Sequence, residues 1–187
     1  MSTASVAIKK VVLIGPESSG KSTLCEKLAN HYDVVFVKEY ARTYLNHNGA
    51  DYSHEDLIQI AKGQLLEEKK AKAKINLQAD SDKPKLLFVD TDFYVIKIWS
   101  ELVFGRCETH ILNELAANNC SLYLLCEPDI PWIEDPLRAH PDHAIRMLHY
   151  HHYKDAMVNQ HIRWENINGD FASRWEKAQS AVDALFQ

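Results

Sequence analysis

Val11-Val-Leu-Ile-Gly-Pro-Glu-Ser-Ser-Gly-Lys-Ser-Thr23 opens as an apolar, β-forming run that reaches Gly15 and continues with the spacing Gly15-x4-Gly20-Lys21-Ser22. Thr23-Leu24-Cys25-Glu26-Lys27-Leu28 then takes up helical periodicity. A strand, a loop with glycine at both ends and a helix, in that order, form a phosphate-binding (Walker A) loop. The glycines let the backbone curl without a Cβ in the way, so the N–H groups across Gly15, Glu17, Ser18, Ser19 and Gly20 can turn toward phosphate oxygens. The positive end of the helix beginning at Lys21, Ser22 and Thr23 adds its partial charge. Lys21 reaches toward β- and γ-phosphates as a mobile ammonium, and the Ser22 hydroxyl has the size and hardness of an Mg2+ ligand. The expectation is a site for ATP with Mg2+.

Outward from this loop, apolar strand-like runs alternate with helical segments to the end of the chain. That pattern predicts a three-layer α/β fold with a five-stranded parallel sheet. The strands read are Lys10 to Ile14, Val34 to Lys38, Leu86 to Asp90, Ser121 to Cys126 and Ile162 to Ile167. The helices read are Lys21 to Tyr32, Ser53 to Gln78, Phe93 to Phe104, Glu108 to Asn118, His143 to Gln160 and Phe171 to Phe186. Ala79-Asp-Ser-Asp-Lys-Pro84 reads as a connecting loop, so residues 1–187 are expected to form one domain.

With 46% hydrophobic and 25% charged residues the composition is that of an ordinary globular chain, and the net charge of -5 argues against a nucleic-acid partner. Met1-Ser-Thr-Ala-Ser-Val-Ala-Ile-Lys-Lys10 lacks the apolar core of a signal peptide, and no stretch stays apolar long enough to span a bilayer; a cytoplasmic protein is expected. Cys25, Cys107, Cys120 and Cys126 form no C-x-x-C pair, and Cys25 and Cys126 read as small buried residues. Glu67-Glu-Lys-Lys-Ala-Lys-Ala-Lys74 reads as a solvated helix face.

Leu86-Leu-Phe-Val-Asp90 is a buried strand ending in a carboxylate, which makes Asp90 the candidate for Mg2+, directly or through water. Asp92, just before the helical Phe93-Tyr-Val-Ile-Lys-Ile-Trp99, is either that helix's N-cap or a catalytic acid. The chain has no N-K-x-D, no D-x-x-G after its third strand, no second acid beside Asp90 and no L-S-G-G-Q. GTPases and transport or remodelling ATPases are thereby disfavoured, and a compact kinase for a small acceptor remains. Lys38-Glu39-Tyr40-Ala-Arg42-Thr-Tyr44 follows the second strand, on the edge where parallel sheets bind ligands. Glu39 is a candidate to take a hydroxyl proton and Arg42 to pair with substrate or phosphate, with Tyr40 and Tyr44 as aromatic walls. The plain alternative is a helix-start glutamate with an exposed arginine.

Glu127-Pro-Asp-Ile-Pro-Trp-Ile-Glu-Asp-Pro-Leu-Arg-Ala-His140 reads as a shaped flap, about residues 128–146, that closes over the triphosphate and excludes water. Arg138 is its phosphate-clamping candidate and Arg146 a weaker second; Trp132 either stacks on an acceptor ring or pins the loop. His149, His151 and His152 lack the i, i+4 spacing of a zinc helix and read as a solvated or pocket-edge face.

Four segments together carry a family resemblance. Gly15-Pro-Glu-Ser-Ser-Gly-Lys-Ser-Thr-Leu24, Lys38-Glu-Tyr-Ala-Arg42, Phe88-Val-Asp-Thr-Asp-Phe93 and Pro131-Trp-Ile-Glu-Asp-Pro-Leu-Arg138 resemble the ribosylnicotinamide kinase domain of NadR-type proteins, over nearly the whole chain from Lys9 onward. The resemblance implies ATP-dependent phosphorylation of the 5′-hydroxyl of nicotinamide riboside. Lys21 and Ser22 would then serve the triphosphate and Mg2+, Asp90 and Asp92 the metal and acceptor, Glu39 the reacting end, and Trp132 and Arg138 the flap. The adenylyltransferase and DNA-binding segments of longer NadR proteins have no counterpart in these 187 residues. A kinase for another nucleoside or vitamin alcohol, and a nucleotide-sensing ATPase module, are the alternatives.

Overall fold

Strand β1 (Lys9–Ile14) runs down the middle of a five-stranded sheet ordered β2-β3-β1-β4-β5. Its partners are β2 (Phe36–Val37), β3 (Leu86–Asp90), β4 (Leu122–Cys126) and β5 (Trp164–Ile167), and every neighbouring pair is parallel. The computed structural model describes residues 7–77 and 85–187; the proposed loop at 79–84 and the first six residues lie outside the described part. Strands β1, β3 and β4 are dominated by Val, Leu and Ile with little alternation, and β3 and β4 are buried at each position, as a sheet covered on both faces requires.

The helices are α1 (Lys21–His31), α2 (Tyr40–Asn48), α3 (His54–Leu77), α4 (Phe93–Phe104), α5 (Thr109–Ala116), α6 (His143–Val158) and α7 (Phe171–Asp183). One face of the sheet packs Val11, Leu13 and Phe88 against Leu24, Cys25 and Leu28 of α1 and Ala178 and Val182 of α7. The other packs Val12, Leu87 and Val89 against Ala71 and Ile75 of α3, Val95 of α4, and Tyr150 and Met157 of α6. Each fully buried aliphatic side chain contributes about 1.5–3 kcal/mol, and this double core holds the strand ends rigid. Among the described residues no helix is long and apolar enough to cross a membrane.

The structure departs from the sequence reading in three places. β2 is paired only at Phe36 and Val37 instead of over Val34 to Lys38, because it is an edge strand with β3 as its single neighbour. Helix α2 is absent from the helices read from the sequence, although its start matches the plain alternative of a helix-start Glu39 with an exposed Arg42. Its first N–H, Tyr40 N, donates to Gln64 Oε1 of α3 at 2.8 Å, while Glu39 at its N-cap makes no side-chain cap bond. The charge run 67–74 is not a fully solvated face, since Glu68 is 2% exposed and its Oε2 accepts from Lys10 Nζ of β1 at 3.1 Å.

Strand order reverses at β1, whose neighbours β3 and β4 carry the chain to opposite sides. Open parallel sheets bind ligands beyond the strand C-termini at such a reversal. The loops after β1, β2, β3 and β4 therefore emerge together at one edge.

Candidate active site

The phosphate loop joins β1 to α1. Gly15 has φ +136°, and a Cβ there would lie 2.4 Å from Cys126 O, so the loop leaves the sheet against the end of β4. Ser18 and Gly20 also have positive φ, at 52° and 79°, which curls the chain on itself. Ser19 Oγ donates to Pro16 O at 2.7 Å, and Lys21 Nζ donates to Gly15 O at 2.9 Å and Pro16 O at 2.7 Å, so the ammonium spans the loop it belongs to. Gly20 caps α1 without a side-chain bond, which leaves the first N–H groups of the helix directed at the loop's concavity.

Asp90 ends β3 and is 3% exposed. Its carboxylate accepts from the Ser22 hydroxyl, and Oδ1 has no partner among the described residues. Burial raises its pKa, while Lys21 and Arg42 pull it down. Glu39 is half-buried on the same edge; burial, then the charge of Asp90, lifts its carboxyl above the usual range against Lys21, Arg42 and Arg138. Lys21, Glu39, Asp90, Arg42 and Arg138 thus act on one electrostatic centre. Thr91, in the left-handed region at φ 75°, adds a buried hydroxyl with no partner among the described residues.

Asp92 is fully buried and faces the interior. Oδ1 accepts from Tyr94 N at 2.9 Å as the N-cap of α4, and Oδ2 accepts from Tyr123 OH at 2.8 Å and Asn118 Nδ2 at 3.0 Å. The N-cap alternative is therefore the geometry adopted. Tyr40 and Tyr44 lie 6.5 Å apart; Tyr40 packs on Gly63, and Tyr44 OH donates to Asp56 Oδ1 at 2.5 Å. Both rings lock α2 against α3.

Residues 127–142 form the flap, and 143–146 are already the first turn of α6. Glu17 accepts from Ala139 N at 3.1 Å and His140 N at 2.5 Å, and Ser18 Oγ accepts from Ile133 N at 3.2 Å. The Glu17 side chain thus holds the flap and leaves only its main chain to the loop. Asp135 pairs with Arg42 at 2.8 Å and Arg138 at 3.7 Å, while Arg138 Nη1 donates to Ile133 O at 2.6 Å. The Trp132 ring lies beneath two guanidiniums, Arg146 at 5.3 Å and Arg138 at 5.9 Å, which pins it within the flap. Arg146 is 3% exposed, and its Nε and Nη1 have no partner among the described residues. A buried guanidinium with free donors fits an anion better than Arg138, whose Nη1 is already bonded to Ile133 O and Ser18 Oγ. His149 packs edge-on to His140 at 4.9 Å, and burial lowers its pKa.

Two features went unnoticed in the sequence. Beside the phosphate loop lies a small open cavity of about 40 Å³ lined by Gly20, Thr23, Lys27, Ile130, Phe171 and Trp175, together with Arg174. Phe171 is 67% exposed there, and the Asn168-Gly-Asp170 turn followed by two aromatics four residues apart was the available signal. Arg174 itself had none, because its partners are carbonyls from three separate loops.

A phosphate loop after the central strand, an acid at the end of the adjoining strand and a flap after β4 define a P-loop protein of the nucleoside- and nucleotide-kinase type. Residues 10–174 match the AAA domain family, and the chain belongs to it. Its sequence is also similar to part of NadR-type proteins. It is 31% identical over 138 residues to the trifunctional NAD biosynthesis/regulator protein NadR of Salmonella typhimurium, and equally to that of Escherichia coli. The matches cover 71% of this chain and 31% of each relative, so the chain spans about a third of the length of these curated relatives.

Solved structures show the same fold. A NadR protein in complex with NR superposes with TM-score 0.73 at 20% identity, covering 95% of this chain and 51% of that one. NadR in complex with NAD and AMP-PNP gives 0.73 at 21%, covering 95% and 49%. Thymidylate kinase from Ehrlichia chaffeensis gives 0.62 at 11%, covering 97% and 100%.

Proposed function

We propose that this chain transfers the γ-phosphoryl group of ATP to the 5′-hydroxyl of nicotinamide riboside, in the cytoplasm, with residues 1–187 acting as one kinase domain. The observation that carries the reading is the placing of Asp90, with its unpartnered Oδ1 at the end of β3, and Glu39, at the start of α2, on the sheet edge where Lys21 and the phosphate loop emerge. The similarity to NadR proteins, one of them bound to NR, supports the choice of acceptor.

In this mechanism the loop's N–H groups and Lys21 hold the β- and γ-phosphates, the lysine exchanging the Gly15 and Pro16 carbonyls for phosphate oxygens. Ser22 and Asp90 fit Mg2+, since the unpartnered Asp90 Oδ1 is a hard anionic oxygen beside a hydroxyl; the bound ion supplies charge neutralisation at those phosphates. Glu39 receives the hydroxyl proton as the acceptor oxygen bonds to γ-phosphorus and the bond to the β-phosphate oxygen breaks, releasing ADP. Asp92 anchors α4 rather than touching substrate, because its carboxylate is spent on three internal donors. Arg146, with Arg138, takes up charge on the transferring group, and the flap keeps water out.

The test is ADP formation from Mg-ATP with and without a panel of nucleosides, thiamine included. Dependence on nicotinamide riboside supports the reading, dependence on another alcohol corrects the acceptor, and a rate indifferent to all of them overturns kinase function.

A further inference from the structure

A phosphate loop binds anions with its main chain only while its peptide planes keep their N–H groups inward. In a trans peptide the carbonyl of one residue and the N–H of the next point in opposite directions, so holding one orients the other. Arg174 holds such a carbonyl. From α7, at 4% exposure, its Nη1 donates to Ser19 O at 3.0 Å. Nε donates to Gly169 O at 2.9 Å, and Nη2 donates to Glu127 O at 2.5 Å and to the Asp129 carboxylate. Asp129 in turn accepts from Gly169 N at 2.6 Å. The guanidinium is thereby bonded to the phosphate loop, the end of β4 and the turn before α7, and its charge is met by Asp129.

We propose that Arg174 is a positioning residue for triphosphate binding: by gripping the Ser19 carbonyl on the outside of the loop it keeps the Gly20 N–H turned toward the phosphates. The inference rests on the triphosphate reading above. The Ser19–Gly20 peptide needs such a grip, because glycine tolerates either sign of φ and a peptide plane beside it turns over with little steric resistance. Gly20 sits at φ +79°, so the orientation comes from contacts rather than from a Cβ. Arg174 touches no reacting atom in this role; it acts through one main-chain amide.

Arg174→Met keeps an unbranched apolar stem, though a shorter one, and removes every donor. Calorimetry on wild type, Arg174→Met and Arg174→Lys, with Mg2+ and either inorganic tripolyphosphate, a non-hydrolysable ATP analogue or adenosine, separates the possibilities. The methionine variant is expected to bind tripolyphosphate and the analogue about tenfold or more weakly, the loss of one oriented charge-assisted contact, with adenosine affinity little changed. The lysine variant, which restores one donor, regains part of the loss. Wild-type tripolyphosphate affinity in Arg174→Met overturns the proposal, and so does an equal loss for adenosine, which would mark a packing defect in the neighbouring cavity. A wild type that binds no triphosphate overturns the functional reading and this inference together.

Should the methionine variant not fold, the wild-type Gly20 amide decides. The chain has six glycines, so a glycine-labelled amide spectrum resolves it. Saturating tripolyphosphate must move the Gly20 resonance downfield; an unmoved resonance overturns the proposal.

Discussion

Asp135 Oδ2 lies 2.8 Å from Arg42 Nη2, and Arg138 Nε approaches the same oxygen at 3.7 Å. One carboxylate of the flap is thus tied to α2, while Glu17 ties the other end of the flap to the phosphate loop. The Arg42 guanidinium holds the Asp135 carboxyl below its usual range. Asp135→Asn should loosen the flap and leave the core alone. Because the Arg42 side chain is 44% exposed, the pair contributes only about 0.5 kcal/mol to stability, a Tm change of about 2 °C or less. Function should respond more: phosphoryl transfer falls about threefold to tenfold while acceptor-independent ADP release rises, as coupled assays of both rates would record.

Burial lifts the carboxyls of both Glu39 and Asp90, and the charge of Asp90 lifts Glu39 further. A base works only when deprotonated, so kcat/KM should fall as pH drops through a value above the ordinary glutamate pKa of about 4.3. The sign for stability is opposite. Groups whose folded pKa is raised bind protons more tightly in the native state, so the unliganded fold gains stability as pH falls into that window. Glu39→Gln should lower kcat about 100-fold or more with KM for ATP unchanged and should flatten the acid limb. A glutamine variant with wild-type kcat would place the base elsewhere.

Gly15 and Gly49 offer a paired test of the phosphate loop's geometry. Both have positive φ, but a Cβ at Gly15 meets Cys126 O at 2.4 Å whereas nothing lies within 4 Å at Gly49. Gly49→Ala should cost about 1 kcal/mol, from backbone strain alone. Gly15→Ala adds a clash with main chain and should cost about 3 kcal/mol or more, lowering Tm by about 6–12 °C. Equal melting shifts for the two would contradict the close approach of the loop to β4.

Lys10 and Glu68, their side chains 5% and 3% exposed, form an ion pair beneath the sheet. Glu68→Leu strands a buried ammonium and should destabilise the protein by about 3–5 kcal/mol. Lys10→Met combined with Glu68→Leu should recover most of that, a comparison that denaturant titration reads directly.

The central strands and the phosphate loop were legible because their signals are local: an unbroken Val-Leu-Ile run, then glycines at fixed spacing before a helix. Asp90 was legible for the same reason, as a carboxylate closing an apolar strand. What escaped notice depends on partners far along the chain. Glu68 looks solvated until Lys10, 58 residues away, is placed beside it. Helix α2 lacks a side-chain cap of its own and takes one from Gln64, 24 residues on. Arg174 has no motif, since it reads the carbonyls of Ser19, Glu127 and Gly169, which meet only in the folded protein. Of the two arginines, position in the flap favours Arg138 in the sequence, whereas Arg146 of α6 is the buried one with donors that have no partner among the described residues.

The most direct measurement is product analysis after incubating the protein with Mg-ATP labelled in the γ-phosphoryl group and nicotinamide riboside. Wild type should carry the label onto the riboside 5′-oxygen, detected as labelled mononucleotide by mass spectrometry, while folded Lys21→Ala yields none. Labelled mononucleotide from Lys21→Ala at the wild-type rate, or label from wild type found only in inorganic phosphate, would contradict it.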